Sequence, residues 1–169
     1  MALTNGQLPK TQTPADRDRA SGASSSAISH RVDSFKPFVY FFYGTLMDPE
    51  VLQTVTALRE PPRLREASIG GFEMKIWGGR YPTLLRQRDP QGRRIEGKAW
   101  RATTLDQCLR LQQYETAAYQ ACTCTIQFLT GEVVQGLTFK WAGDPTSSEL
   151  SEGSFDLETW QREQKPLMS

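Results

Sequence analysis

Apolar and polar positions along the chain separate a patterned central region from two polar flanks. Before Phe35 there is almost no large apolar residue, whereas periods typical of strands and helices alternate from residue 37 to 141. A polar, Ser-rich flank cannot bury enough apolar surface to offset its ordering entropy. We therefore predict a disordered N-terminal extension over residues 1–35, one domain over 36–142 and a C-terminal extension over 143–169.

The periods of the central region predict mixed strands with two helices. The predicted strands span residues 38–43, 67–77, 81–85, 95–101, 119–129 and 133–141, with a turn at 89–92 and a hairpin across 130–132. Asp48 and Pro49 predict the start of the first helix, with Leu58 among its apolar positions. Thr104 and Gln107 predict a capping box at the start of the second helix. Few helices among mixed strands predict an α+β fold built on a small β-barrel.

In the C-terminal extension, three apolar residues keep an amphipathic spacing, namely Phe155, Leu157 and Trp160. We expect a short helical turn that packs on the domain as a structural segment. A lid over a pocket is the alternative that this pattern leaves open.

Between the first strand and the first helix lies a tight turn at Tyr43-Gly44-Thr45-Leu46. Gly44 can adopt backbone angles that a residue with a Cβ resists. The N–H groups of the turn, near a helix start, suit a carboxylate or phosphate. The alternative is a plain strand-turn-helix connection that binds nothing.

The composition argues against some classes of binding partner and some cellular locations. The formal net charge is +1, and the arginines are interspersed with acidic residues, which argues against nucleic-acid binding. No stretch approaches the roughly 18 to 20 apolar residues that span a bilayer, so no membrane association is expected. The first twenty residues lack the apolar core of a signal peptide, and we expect a cytoplasmic protein.

Histidine and cysteine usage restricts the possible mechanisms. The single histidine, His30, lies in the Ser-rich flank, which disfavours Ser-His-Asp and Cys-His sites. Cys108, Cys122 and Cys124 lack the spacing of a zinc site, and buried reduced thiols are expected. We therefore assign acid-base chemistry to carboxylates and expect no metal and no cofactor.

The order and spacing of several motifs resemble the γ-glutamylcyclotransferase-like family, including its AIG2-like branch. Tyr-Gly-Thr-Leu-Met follows a strand at residue 43, and an apolar helix ends further on in Tyr-Glu-Thr-Ala-Ala-Tyr at residue 119. Between them, residues 79–83 resemble the Tyr-Pro segment of the family, and residues 95–100 resemble its apolar-x-Gly strand. The resemblance covers about residues 36 to 141. It implies a closed barrel with a pocket at one end.

The resemblance also implies an activity and a set of site residues. A γ-glutamyl conjugate would cyclise to 5-oxoproline and release its amine, with Glu115 as general base and acid. The resemblance implies a small-molecule substrate, and we expect a monomer or homodimer. The implied substrate-binding residues are Tyr43, Gly44, Thr45, Leu46, Tyr81, Pro82 and Tyr119. Tyr119 is alternatively a core tyrosine, and Tyr81 and Pro82 alternatively form a structural turn.

Three positions depart from the family pattern. Thr116 replaces a common glycine after the catalytic glutamate, Ala121 replaces an arginine, and Phe139 replaces a tyrosine. The missing cation and hydroxyl favour a more apolar γ-glutamyl conjugate over polar substrates the size of glutathione. Two other functions stay open: another proton-transfer cyclisation or isomerisation in secondary metabolism that uses Glu115, and a non-catalytic ligand-binding protein.

Overall fold

A computed structural model describes residues 35–87 and 92–168. Within these residues the strands are β1 Phe38–Phe42, β2 Arg65–Ile69, β3 Phe72–Trp77, β4 Tyr81–Arg86, β5 Ile95–Ala102, β6 Tyr119–Phe128, β7 Val133–Trp141 and β8 Leu150–Ser151. The α-helices are α1 Pro49–Thr56, α2 Leu105–Glu115 and α3 Leu157–Glu163, and 3₁₀ turns span Thr45–Met47 and Lys165–Met168. The predictions for His30 and most of those for the N-terminal extension and the 89–92 turn lie outside the described residues.

Five strands close into a barrel in the order β1-β5-β2-β6-β7. β1 runs antiparallel to β5 and parallel to β7, and the other neighbours are antiparallel. The remaining strands form a second sheet in the order β4-β3-β8. The predicted α+β fold with a small, closed, mixed-strand barrel is confirmed. Within the described residues, none of the helices is long and apolar enough to cross a bilayer.

The stretch predicted as one strand over residues 67–77 is two strands in different sheets, so that prediction was wrong. β2 ends at Ile69 and β3 begins at Phe72, with two glycines between them. Gly71 has a φ of 80°, which side chains with a Cβ disfavour. The glycines let the chain leave the barrel and enter the second sheet. Similarly, α1 ends at Thr56, and Leu58 lies beyond the helix although it still packs on the core.

Both faces of β1 are apolar because each faces a different core. Phe41 and Tyr43 point into an inner cluster inside the barrel, whereas Tyr40 and Phe42 point into an outer cluster beneath the helices. The inner cluster comprises Phe41, Tyr43, Ala67, Ile69, Phe72, Leu84, Ala99, Cys124, Ile126 and Phe128. The outer cluster comprises Tyr40, Phe42, Leu46, Met47, Leu52, Trp100, Ala102, Leu111 and Phe139. The C-terminal end of β1 is therefore held in place by two packed cores, one on each face.

The C-terminal segment also contributes to the outer core. Trp160 of α3 is buried, and Phe155 and Leu157 pack against the outer cluster. Asp156 caps α3 by accepting a hydrogen bond from the Thr159 N–H at 2.7 Å. The amphipathic turn expected from these apolar positions is present as α3.

Candidate active site

β1 leads directly into the turn that the sequence indicates as an anion site. The first hydrogen bond of the 3₁₀ turn runs from the Met47 N–H to the Gly44 carbonyl oxygen at 3.0 Å. The N–H groups of Thr45 and Leu46 therefore precede the first donor of the turn and have no acceptor within it. The Leu46 side chain is buried in the outer cluster, so only its backbone is placed to contact a ligand.

The Asp48 carboxylate anchors the far end of this turn. Its side chain is 1% exposed, and its Oδ1 accepts from the N–H groups of Glu50 and Val51 at 2.9 and 3.0 Å. Its Oδ2 accepts from Gln161 at 2.7 Å and from Lys165 at 2.8 Å. Burial alone would raise the pKa of Asp48, but the hydrogen bonds outweigh burial and lower it. The predicted N-cap is confirmed, and it also ties the C-terminal segment to the turn.

Helix α2 delivers Glu115 to the same end of the barrel. The predicted capping box is present, because Thr104 accepts from the Gln107 N–H and the Gln107 side chain accepts from the Thr104 N–H. Leu111 is fully buried and holds the helix on the outer core. Glu115 is the last helical residue, since Thr116 has a φ of 64° and a ψ of −177°. This backbone region is nearly restricted to glycine.

The Glu115 carboxylate is half-buried and unpaired. Within residues 35–87 and 92–168, no side chain or backbone group forms a hydrogen bond or ion pair with it. Burial raises the pKa of Glu115 to about 7. Burial also raises the pKa of Tyr43, Tyr114 and Tyr119, and the nearby charge of Glu115 adds to the rise in all three. The carboxylate therefore lies among three phenol groups, and none of them neutralises its negative charge.

Two of these phenols are oriented by backbone carbonyl groups. Tyr43 is buried, and its hydroxyl donates to the carbonyl oxygen of Phe139 at 2.6 Å. The Tyr119 hydroxyl donates to the carbonyl oxygen of Pro82 at 2.9 Å. Each phenol donates its proton to a carbonyl group, so its oxygen is left with acceptor capacity only.

The third phenol connects the helix end to the turn. The Tyr114 and Thr45 hydroxyl oxygens are 2.7 Å apart and share a hydrogen bond. On the other side of the turn, a Cβ built on Gly44 would lie 3.1 Å from Cγ of Pro82. A larger residue at position 44 would therefore push against Pro82. The predicted residues 44, 45, 82 and 115 thus lie at one end of the barrel.

Thr83 adds a buried hydroxyl to this group. The residue has no solvent exposure, and its Oγ1 has no hydrogen-bond partner among the described residues. It lies close enough to the hydroxyl groups of Tyr43 and Tyr119 to lower the pKa of both. An unpartnered buried hydroxyl is unusual in a packed core.

Tyr81 and Pro82 begin β4, the middle segment of the predicted site. Tyr81 is 49% exposed, and its ring centroid lies 5.8 Å from that of Trp77, its cross-strand partner in β3. Tyr81 also raises the pKa of both Tyr114 and Tyr119, which shows that these phenols are near it. Tyr81 therefore stands at the open side of the site, and Pro82 lies further in.

Two of the departures from the family pattern, Ala121 and Phe139, lie in the same patch of the structure. The two residues are cross-strand partners in β6 and β7, and both pack against the outer cluster. The Phe139 ring stacks on Tyr40 with centroids 5.8 Å apart. Phe139 contacts the site through its carbonyl oxygen, which accepts from Tyr43.

Two cysteines lie near tyrosine hydroxyls, Cys122 near Tyr43 of the site and Cys108 near Tyr40 of the outer cluster. Cys108, Cys122 and Cys124 are free thiols, and the burial predicted for all three holds only for Cys124. Burial raises the pKa of Cys122 and raises that of Cys124 to about 12. No group of three or more metal-binding side chains occurs in the part of the chain that the structure describes.

The structure brings together all the predicted site residues, although Leu46 contributes its backbone alone. Three further residues lie next to the predicted site residues, namely Thr83, Tyr114 and Trp77. Thr83 and Tyr114 directly adjoin predicted site residues, so their proximity in sequence was the available signal. Trp77 carried no such signal, because the hairpin pairing with Tyr81 brings it near the site.

Comparison with known proteins agrees with this architecture. Residues 40–162 match the model of the family described as gamma-glutamyl cyclotransferase, AIG2-like. A comparison with curated protein sequences gave no significant match.

Several solved structures share the fold. One Arabidopsis thaliana protein is 26% identical with a TM-score of 0.57, and the match covers 81% of this chain and 89% of that one. A second Arabidopsis thaliana protein is 20% identical with a TM-score of 0.59, covering 76% and 74%. An AIG2-like protein from Mus musculus is 19% identical with a TM-score of 0.52, covering 72% and 90%. The family match spans most of the chain, and the chain therefore belongs to the AIG2-like gamma-glutamyl cyclotransferase family.

Proposed function

We propose that the protein cleaves a γ-glutamyl conjugate by cyclisation, forming 5-oxoproline and releasing the amine. The observation that carries this proposal is the half-buried Glu115 carboxylate, which has no hydrogen-bond or ion-pair partner among the described residues and lies among three tyrosines near the turn at Gly44. A protein that only bound an anionic amino acid would gain nothing from a buried like charge. Family membership supports the same reaction class.

The turn after β1 has the geometry to hold the α-carboxylate of the glutamyl group. The N–H groups of Thr45 and Leu46 supply donors, and Pro82 limits the room beside Gly44. Holding the chain of the substrate in the folded conformer places its α-amine against its own γ-carbonyl carbon. Such intramolecular positioning can supply roughly 7 to 11 kcal/mol of the barrier.

Glu115 then moves one proton in each direction. It first takes a proton from the α-ammonium group, so that the free amine forms a bond to the γ-carbon. The ring nitrogen gives up its second proton, and the bond between the γ-carbon and the departing nitrogen breaks as Glu115 gives that nitrogen the first. The departing amine takes up the second proton and leaves as an ammonium ion, so one amide with an α-ammonium group becomes 5-oxoproline and an ammonium product without a cofactor.

The proposal predicts a pH profile that differs from that of a solvated glutamate. The base must be deprotonated to act first, so kcat/KM should rise with pH and level off above about 7, the pKa to which burial raises Glu115. A profile that is already level at pH 5 would indicate a carboxylate in water and would contradict a buried base.

The test is a panel of γ-glutamyl amines and peptides, with 5-oxoproline measured by mass spectrometry. Glu115→Gln should lower kcat by roughly 10² to 10⁴ while ligand affinity changes little. The matched control is Glu132→Gln, an exposed glutamate that pairs with Arg65 at the far hairpin and should leave turnover intact. Unaltered turnover in Glu115→Gln would remove this residue from the mechanism.

The other two functions give different results in the same panel. A proton-transfer enzyme acting on another substrate would bind γ-glutamyl compounds weakly and form no 5-oxoproline. A binding protein would show tight binding without product, and Glu115→Gln would strengthen its affinity by removing repulsion of the substrate carboxylate.

A further inference from the structure

Four aromatic rings lie together, and one of them, Tyr119, lies next to Glu115. The Trp77 ring is central, with centroids 5.8 Å from Tyr81, 6.3 Å from Tyr119 and 5.2 Å from Trp141. Trp77 and Tyr81 are cross-strand partners in the small sheet, and Tyr119 and Trp141 are cross-strand partners in the barrel. We call these four residues the aromatic wall. It joins the edge of the small sheet to the mouth of the barrel.

The aromatic wall shares a residue with the site, which fixes their relative positions. Tyr119 contacts Trp77 edge-on and is also among the phenols next to Glu115. Tyr81 of the wall also lies near Tyr114, whose hydroxyl shares a hydrogen bond with Thr45 of the turn. Tyr43 and Thr83 are buried whereas Tyr81 is half-exposed, so a substrate held at the turn with its γ-carbonyl near Glu115 has room for its amine portion at the aromatic wall.

The exposed edge of the wall is suited to stacking with a neutral ring. Tyr81 is 49% exposed although it packs on Trp77, so one part of a large ring stays open at the mouth. Aromatic faces and edges attract other rings at these separations. The Arg80 guanidinium already lies 5.7 Å from the Tyr81 ring centroid, and its charge disfavours a second cation there.

From this arrangement, and resting on the proposed function, we infer that the released amine carries an aromatic ring. That ring stacks on Tyr81 and Trp77 while Glu115 transfers the proton. The aromatic wall is thus the specificity determinant for the amine portion, and the turn after β1 is the determinant for the glutamyl portion.

The first arm of the test measures turnover. We expect kcat/KM to be about tenfold or more higher for γ-glutamyl-phenethylamine than for γ-glutamyl-methylamine, the size of effect that stacking on two rings supplies. Tyr81→Leu should lower this preference ratio about three- to tenfold, and Tyr81→Phe, which keeps the ring, should preserve it. Leu129→Ala, at an exposed position on the far hairpin, is the control and should leave the ratio as in wild type.

The second arm measures binding without turnover, by calorimetric titration of the Glu115→Gln variant with the same two compounds. Tighter binding of the phenethylamide that weakens when Tyr81→Leu is added supports the aromatic wall, even if no product forms and the cyclisation is wrong. Product formation with equal kcat/KM for both amides overturns the inference and leaves the cyclisation standing. Absence of both binding and product overturns both.

Discussion

Glu115→Gln should stabilise the fold while it abolishes the proposed activity, and the gain should depend on pH. Burial raises the pKa of Glu115 from 4.5 to about 7 in the folded protein. Between these values the folded chain binds more protons than the unfolded chain, so stability falls as pH rises. The glutamine side chain is neutral at every pH and escapes this loss. The difference corresponds to roughly 3 kcal/mol at pH 8 and to nearly zero at pH 4.

The assay is urea denaturation of both proteins at pH 4 and pH 8, with free energies of unfolding compared at each pH. The measurement at pH 4 is the internal control, because Glu115 is protonated there and resembles glutamine in charge. A stabilisation of the same size at both pH values would point to packing rather than charge. Equal stability at pH 8 would refute the buried, unpaired carboxylate and with it the physical basis of the proposed base.

Three further substitutions test other parts of the structure. Thr116→Gly should raise the free energy of unfolding by about 1 kcal/mol, or roughly 2 to 4 °C in Tm, because it relieves the φ of 64°; Thr116→Ala, which keeps the strain, should not. Lys165→Met should cost on the order of 2 kcal/mol at pH 7 by leaving the buried Asp48 carboxylate without its cation. That cost should shrink toward pH 3 in urea titrations, because the stabilisation from the lowered pKa of Asp48 is complete above the unfolded pKa and is lost as pH falls through the folded pKa. Thr83→Val should stabilise by about 1 kcal/mol, because it removes an unpartnered buried hydroxyl; destabilisation in the same melts would mean that Thr83 bonds the phenols.

Local chemistry made several elements predictable from the sequence. Asp48 and Pro49 specify a helix start, and Thr104 with Gln107 specifies another, because each cap satisfies backbone N–H groups within four residues of itself. The second cap, together with helical spacing, placed Glu115 at a helix end. These features depend only on neighbours in sequence, and the structure confirms them.

Features that depend on distant contacts were not predictable in this way. The break at Gly70 and Gly71 moves β3 out of the barrel, and only then does Trp77 lie next to Tyr119. The unpartnered hydroxyl of Thr83 follows from how β4 packs on the barrel, and no period in the sequence reveals a missing hydrogen bond. A strained Thr116 is likewise visible only in its backbone angles.

The parallel pairing of β1 with β7 makes formation of the site depend on closure of the barrel, the last step of folding. The Tyr43 hydroxyl reaches the Phe139 carbonyl oxygen across 96 positions of sequence, and Thr138 reaches the Phe41 carbonyl oxygen across 97. Contacts of such long range form slowly, because loop closure costs entropy before any pairing offsets it. A nascent chain that has not yet included β7 has neither a closed barrel nor an oriented Tyr43. Binding competence should therefore emerge together with global folding in a single kinetic phase.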